Sequence, residues 1–180
     1  LGAVMTQVSD RPQPHICHNL IGGAWLPSKG ALRDIHSPHD GRLLGRVPLS
    51  PRDEAEAAVA AAAKAFRSWR TLTLKERSVP LFRWRELVLK HLDELADLAA
   101  SESGKTVAEA RAGILKGVEV AEFALSLQNL DTGGSMEVSQ GVICQMQRRP
   151  LGVVVGITPF NFPAMVPLWM IPIAMTLGNA

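Results

Sequence analysis

The sequence is poor in cysteine, the residue that small proteins use for disulfides and structural zinc. It has two cysteines in 180 residues. Cys17 and Cys144 lie far apart and neither belongs to a CxxC pair, so neither a disulfide framework nor a zinc site is indicated. His15 and His18 flank Cys17, but so short a cluster near the chain start favours a polar tail over a metal cage. We therefore expect no metal site and a reducing compartment, the cytoplasm.

Charge of one sign is also scarce. The formal net charge is +2, from 19 basic and 17 acidic residues that are spread along the chain. Arg148 and Arg149 are the densest basic pair, and two residues do not form a nucleic-acid footprint. Since 47% of the residues are hydrophobic, the chain can bury a globular core. The composition predicts no nucleic-acid partner.

The chain lacks both a targeting signal and a long apolar run. Residues 1–15 have no apolar core and no Arg-rich pattern, so we interpret them as a flexible leader. The run 162–175 carries no polar side chain, but it is shorter than the roughly 20 residues of a spanning helix. We therefore expect that the protein has no membrane partner. A membrane-associating segment over 162–178 is a weaker alternative. The chain stops within apolar sequence, which we interpret as part of a longer protein.

Turn residues predict strands in the first 50 positions. Gly22 and Gly23 stand between two short apolar stretches and favour a two-residue hairpin turn. The sequence "HDG" at 39–41 is a second turn signal, between predicted strands over 32–36 and 43–47.

Two helices are predicted to follow. Ser50 is the expected N-cap of the first, with Pro51 as its first helical residue. Because Pro80 cannot donate to an earlier carbonyl, the second helix is predicted to begin at 78–80. It is expected to continue without interruption to Gly104.

A third helix and further strands complete the pattern. Thr106 and Glu109 have the spacing of a capping box, and the helix they begin is predicted to run towards Leu130. Residues 136–149 predict a strand pair, and "LGVVVGI" at 151–157 predicts a buried parallel strand. These elements together predict an α/β fold.

Prolines surround a single amide after the last predicted strand. Pro159 and Pro163 restrict their own backbones and those of the preceding residues. Pro163 is the expected first residue of the next helix, so Asn161 would lie between a strand end and a helix N-terminus. There it could donate an N–H to an oxygen that becomes negative during a reaction. It could equally cap the helix, since Asn is a common capping residue.

The helix predicted after Asn161 is apolar and contains Pro167 and Pro172, which should bend it. Phe162, Val166 and Trp169 have the spacing of one helix face. This face could be a wall of the core or one side of a channel for an apolar-bodied ligand.

At these residues the sequence resembles the aldehyde dehydrogenase superfamily, and within it the CoA-acylating methylmalonate-semialdehyde (malonate-semialdehyde) dehydrogenases. The likeness covers nearly everything from residue 18 onward. The stretches that carry it are "LIGGAW", "GRVP", "AAKAFRSW", "ESGKT", "EVAEFA" and "ITPFNFPAMVPLWMIPIAMTLGN".

The resemblance implies an enzyme that oxidises a small aldehyde with NAD and passes the acyl group to CoA. It implies that Asn161 contributes to the oxyanion hole. It also implies dinucleotide contacts from 157–160 and an aldehyde tunnel lined by Phe162 and Trp169. The implied cofactor-binding residues are Ile157, Thr158, Pro159 and Phe160.

Lys116 departs from the resemblance. The semialdehyde branch usually has an Arg before the glycine that matches Gly117, and that Arg binds the substrate carboxylate. A lysine keeps the charge but gives up the bidentate fork. Lys116 is thus a candidate substrate-binding residue, with a surface lysine as the alternative.

The resemblance also implies a division of the chain. Residues 16–134 would form the first part of a Rossmann-type NAD-binding domain, 135–150 a protruding strand pair that joins subunits of a homo-oligomer, and 151–180 the first strand and helix of the dinucleotide-binding core. The nucleophilic cysteine and its partners are expected beyond Ala180, so these residues alone are predicted to be inactive. A non-acylating aldehyde dehydrogenase and a non-catalytic assembly module are the alternatives.

Overall fold

The computed structural model describes residues 14–130 and 133–180, so the predicted leader lies outside the described residues except for its last two positions. The strands are β1 (His15–Ile16), β2 (Asn19–Ile21), β3 (Ala24–Leu26), β4 (Leu32–His36), β5 (Leu43–Pro48), β6 (Gly134–Ser139) and β7 (Val142–Met146). The helices are α1 (Arg52–Trp69), α2 (Leu74–Lys90), α3 (Leu92–Ser103), α4 (Val107–Leu130) and α5 (Met165–Thr176).

The first strands form two small sheets, as the turn residues predict. β2 and β3 are an antiparallel hairpin, and Gly22 and Gly23 take the positive φ angles of 61° and 84° that its turn needs. β4 and β5 pair antiparallel, and β1 joins β5 in parallel register, which gives the order β1-β5-β4. His15 therefore belongs to a strand.

The core lies among helices α2 to α5, with α4 in contact with each of the others. Leu168 of α5 is 5% exposed and packs against α4. Gly117 permits this approach, because a Cβ there would lie 2.7 Å from Leu168 Cδ1 and 3.2 Å from Met165 Cα. The buried residues of this cluster are Val88, Leu92, Ala96, Ala110, Ile114, Val118 and Leu168.

The predicted start of α1 is wrong by one residue. The helix begins at Arg52, Pro51 is the N-cap, and no side chain caps it. Ser50 is engaged elsewhere, because its hydroxyl accepts from Asn19 Nδ2 at 2.8 Å. The Glu54 carboxylate does not bond the helix end either, because it accepts hydrogen bonds from the side chains of Asn19 and Ser28. Tertiary contacts thus replace the local cap.

The second predicted helix begins earlier than Pro80 suggests, and it is two helices. α2 starts at Leu74 behind a capping box in which Thr73 and Glu76 bond each other's backbone N–H groups. Pro80 is the seventh residue of α2, where its missing N–H costs one bond near the helix start. His91, at φ −103° and ψ 20°, separates α2 from α3, and Gly104 ends α3 in the left-handed conformation as predicted.

The strand pair near 136–149 is confirmed as the hairpin β6–β7. Its two strands pair antiparallel, and Gly141 in the turn has φ 75°. Every residue of both strands is exposed. The hairpin therefore protrudes from the helical core.

The prediction of a buried parallel strand at 151–157 is wrong for this structure. The stretch is extended but belongs to no sheet, and Leu151 and Ile157 are 91% and 90% exposed. A strand forms only against a neighbouring strand, and the described residues place none beside it. Its backbone bonds instead join the chain end: Val154 N donates to Ala180 O, and Ala180 N donates to Gly152 O.

The final helix also begins later than predicted. α5 starts at Met165 with Ala164 as its N-cap, so Pro163 precedes the helix. Pro167 is its third residue, where no intrahelical donor is lost, and Pro172 alone removes an interior bond. Phe162 is outside the helix and does not share a face with Trp169.

The α/β class is confirmed, with five helices and three small sheets in the described residues. Within the same residues, no helix combines the length and apolar character that crossing a membrane requires.

Candidate active site

The candidate site is the Asn161 loop, defined as residues 157–163. It leaves the exposed extended stretch after Gly156 and ends just before α5. Ile157 and Phe160 are 90% and 93% exposed, and Asn161 is exposed as well. Thr158 and Pro159 lie between them on the same exposed segment. The loop therefore presents its predicted cofactor-binding and catalytic residues outwards.

The backbone of Asn161 is held by Lys105. Lys105 Nζ donates to Asn161 O at 2.7 Å. The same ammonium lies 3.5 Å from the centroid of the Phe162 ring, within cation–π distance. Neither contact uses the Asn161 amide, which makes no hydrogen bond among the described residues. The predicted capping role is not observed, because α5 has no side-chain cap.

Two helix ends fix the position of Lys105. Gly104 ends α3 at φ 74°, and Thr106 is the residue before α4. Thr106 and Glu109 form the predicted capping box: Glu109 Oε2 accepts from Thr106 N at 3.0 Å, and Glu109 N donates to Thr106 Oγ1 at 3.2 Å. The hydroxyl of Thr106 holds the pKa of Glu109 below its ordinary value, and the Lys105 charge adds a smaller effect.

Phe162 borders a small cavity between the loop and the helices. The cavity has a volume of about 20 Å³, enough for one water molecule. Its other walls include Ser103 and Lys105 from the α3–α4 connection and Gly113 and Ile114 from α4. The structure thus packs Phe162 against the connection that carries Lys105.

Trp169 borders a different and much larger space. This open apolar groove of about 780 Å³ is also lined by Trp69 and residues 154–156. Trp69 Nε1 donates to Met175 O at 3.0 Å, which ties the end of α1 to the end of α5. Phe162 and Trp169 are therefore not brought together in one cavity.

Lys116 lies apart from the loop contacts, on the surface of α4. Its ammonium pairs with Glu119 at 2.6 Å, and both side chains are more than 60% exposed. The pair has the i, i+3 spacing of a helix surface. The next residue in the chain, Gly117, lies against α5. Lys116 is therefore adjacent in sequence to the contact between α4 and the helix that follows the Asn161 loop.

Asn179 is a residue of the site region that the motif analysis did not assign. It is 7% exposed, and its Oδ1 accepts from Leu151 N at 2.7 Å and Gly152 N at 3.2 Å. Its Nδ2 donates to Ala174 O at 3.2 Å. The signal available in the sequence is Gly178 before it, since a glycine after an apolar helix predicts a helix end.

Among the described residues, no group of three or more His, Cys, Asp or Glu side chains could hold a metal ion. Cys17 and Cys144 are exposed free thiols. Cys144 belongs to the protruding hairpin, and Cys17 lies between β1 and β2. Neither residue borders the two cavities next to the loop.

The sequence matches the model of the aldehyde dehydrogenase family over residues 25–180. It is 44% identical over 163 residues to malonate-semialdehyde dehydrogenase 2 of Geobacillus thermodenitrificans, which covers 89% of this chain and 34% of that protein. The chain therefore spans about a third of the length of the curated relatives it matches.

Solved structures agree with this match. A methylmalonate-semialdehyde dehydrogenase from Oceanimonas doudoroffii superposes with a TM-score of 0.89 at 35% identity, over 93% of this chain and 34% of that one. An NAD-dependent aldehyde dehydrogenase from Sinorhizobium meliloti superposes with a TM-score of 0.87 at 30% identity, over 96% and 36% of the two chains. By sequence and by fold, the chain belongs to the aldehyde dehydrogenase family.

Proposed function

We propose that the protein containing this chain oxidises a small semialdehyde with NAD and transfers the acyl group to CoA. Family membership supports aldehyde oxidation. The names of the relatives, malonate- and methylmalonate-semialdehyde dehydrogenases, support a semialdehyde as substrate. An aldehyde dehydrogenase that releases a free acid is the alternative, and it shares every step assigned below to these residues.

The observation that carries the proposal is the exposed, unpartnered Asn161 amide on a backbone that is held in place. The amide is a neutral donor, so it can bond an oxygen whose negative charge grows as the aldehyde carbon is attacked. The N-terminus of α5 follows four residues later and carries no side-chain cap. Its partial positive charge favours the same developing anion. Asn161 would thereby stabilise the transition state more than the substrate.

The residues before Asn161 fit a dinucleotide. The backbone of 157–160 has no hydrogen-bond partner among the described residues, so its N–H and C=O groups can bond a ligand. Ile157 and Phe160 add exposed apolar surface for a flat ring. NAD, when bound, accepts the hydride that leaves the aldehyde carbon. Ile157, Thr158, Pro159 and Phe160 would hold it beside the Asn161 amide.

Phe162 and Trp169 are proposed to contact different parts of the aldehyde path, since they border different spaces. Lys116 is proposed to attract the substrate carboxylate. In that role it must exchange Glu119 for the substrate, which costs little because exposed ion pairs contribute about 0–1 kcal/mol. Lys116→Met should then raise KM for a semialdehyde but leave KM for an uncharged aldehyde unchanged, and Lys116→Arg should restore it.

The exposed hairpin β6–β7 is proposed to pair with another subunit in a homo-oligomer. Met136 and Ile143, each 65% exposed, lie on this hairpin and would be covered in such an assembly. A non-catalytic assembly module would use the same hairpin, but it would have no use for an exposed Asn161 loop.

The test is Asn161→Ala in the protein expressed from its complete coding sequence. Loss of one oxyanion donor should slow NADH formation in a single turnover by about 10²- to 10³-fold. NAD affinity, measured by titration, should not change. Asn129→Ala, at an exposed position of α4, is the matched control and should react like the wild type. A wild-type single-turnover rate for Asn161→Ala would remove the proposed role.

The substrate class is tested separately. The same protein should reduce NAD fastest with malonate or methylmalonate semialdehyde, and CoA should be consumed in equal amount. Turnover that is independent of CoA and yields the free acid would favour the non-acylating alternative.

A further inference from the structure

Lys105 contacts the Asn161 loop, and the chemistry proposed above does not use these contacts. It belongs to no helix. It is the middle residue of the three-residue connection 104–106, between Gly104, which ends α3, and Thr106, which precedes α4. Both neighbours are fixed by their own local structure, so the backbone of Lys105 has little freedom.

The side chain of Lys105 crosses from this connection to the Asn161 loop. It makes a charge-assisted hydrogen bond to Asn161 O at 2.7 Å and covers the Phe162 ring at 3.5 Å. These contacts join residues that are 56 positions apart in the chain. They act on the carbonyl of Asn161 and on the next side chain, and therefore on the torsions that aim the Asn161 amide.

The Glu109 carboxylate does not compete for this contact. Glu109 attracts Lys105 electrostatically, but its Oε2 accepts from both the backbone N–H and the hydroxyl of Thr106. The hydrogen bonds of the helix cap thus occupy the Glu109 carboxylate, while its negative charge still attracts the Lys105 ammonium and keeps it near the loop.

We propose that Lys105 is a positioning residue that orients the Asn161 amide for catalysis through its contacts with Asn161 O and the Phe162 ring. The inference rests on the proposed function of Asn161 and adds to it the element that holds the amide. A lysine at the surface that merely improved solubility would show no such pair of contacts.

The test compares Lys105→Met with Lys105→Arg in the protein expressed from its complete coding sequence. Methionine keeps an unbranched side chain but loses both the donor and the charge. A small misplacement of a reacting group reduces rates by up to about 100-fold, so we expect single-turnover NADH formation to fall by roughly 10- to 100-fold. Arginine can donate to the carbonyl and stack on the ring, and it should recover most of this loss. Lys64→Met, at an exposed position of α1, is the matched control.

Two further measurements separate positioning from folding and from cofactor binding. The thermal midpoint of Lys105→Met should equal that of Lys64→Met, and its NAD affinity should equal that of the wild type. In the double variant with Asn161→Ala, Lys105→Met should cause no additional loss, because there is no amide left to orient. A full additional loss, a weaker NAD affinity at unchanged rate, or a failure of arginine to restore the rate would overturn the proposal.

These outcomes also distinguish the two proposals. If Asn161→Ala reacts at the wild-type rate, the oxyanion role itself is wrong. If Asn161→Ala is slow and Lys105→Met is not, the oxyanion role stands and only the positioning role fails.

Discussion

The N-termini of α4 and α5 lie on the two sides of the Lys105–Asn161 contact, and they are built in opposite ways. At α4, Thr106 and Glu109 satisfy each other's backbone N–H groups. At α5, Ala164 offers no side-chain bond, and its φ and ψ of −105° and −42° are helical instead of extended. The N-terminus of α4, next to Lys105, is therefore capped, whereas the N-terminus of α5, next to Asn161, is uncapped.

This difference shows how stability and chemistry are divided between the two helices. A capped N-terminus has satisfied its donors and has little left to offer a ligand. An uncapped N-terminus costs stability but keeps its partial positive charge available. α5 can remain uncapped because its packing against α4, at Gly117 and Leu168, holds it in place.

The largest expected effect removes that packing. In Gly117→Ala, the new Cβ would lie 2.7 Å from Leu168 Cδ1, so α5 must move away from α4. Overpacking of this kind costs about 1–3 kcal/mol, more than the gain of about 1 kcal/mol from replacing a helical glycine. Urea unfolding should show a net loss of stability.

Gly113 in the same helix is the matched control for Gly117. A Cβ at Gly113 would meet nothing within 4 Å, so Gly113→Ala should be neutral or stabilising. Equal stability for the two variants would show that the close approach of α5 to α4 is not what holds the uncapped helix α5 in place.

A smaller effect is expected from exchanging the caps. Thr106→Ala should cost about 1 kcal/mol of unfolding free energy, the usual loss for a side-chain N-cap. Ala164→Ser should gain a few tenths of a kcal/mol at most, because the helical backbone there does not suit a cap, which normally needs extended geometry. Guanidinium titrations of both variants measure the difference. A gain from Ala164→Ser as large as the loss from Thr106→Ala would contradict it.

The smallest effect is the pH dependence of the stability that the Thr106–Glu109 cap gives to α4. Hydrogen bonds from Thr106 lower the pKa of Glu109 below its ordinary value of 4.5. A lowered folded-state pKa contributes stability that is present above pH 4.5 and is lost as the pH falls through the folded value. The stability difference between the wild type and Glu109→Gln should therefore be greatest near neutral pH and shrink in acid. A difference that does not change with pH would show that the cap stabilises α4 through hydrogen bonds and not through the charge of Glu109.

Local signals predicted the elements whose interactions are local. The glycine pair of the β2–β3 turn, the Thr106–Glu109 box and the left-handed Gly104 each act within a few residues, and each is confirmed. The Thr73–Glu76 box has the same spacing but was not predicted, because Pro80 within the helix favours a later start than the capping box allows.

Predictions failed where distant partners decide the structure. Ser50 does not cap α1, since Asn19 takes its hydroxyl from 31 residues away. The run 151–157 is apolar enough for a buried strand, but burial depends on a neighbour that periodicity does not reveal. For the site, sequence placed Asn161 between two elements, whereas its connection to Lys105 became visible only in the folded chain.

The buried Asn179 has a consequence for how the site region comes apart. Its side chain joins Leu151 and Gly152 to the end of α5, across 27 or 28 residues. Closing a loop of that length costs roughly 3 kcal/mol of chain entropy, which the Asn179 bonds and the two backbone bonds to Ala180 offset together. Once they break, no single one of them can hold the loop shut. Amide hydrogens at 152, 154 and 180 should therefore exchange with solvent at one common rate, as a cooperative unit that includes the whole Asn161 loop.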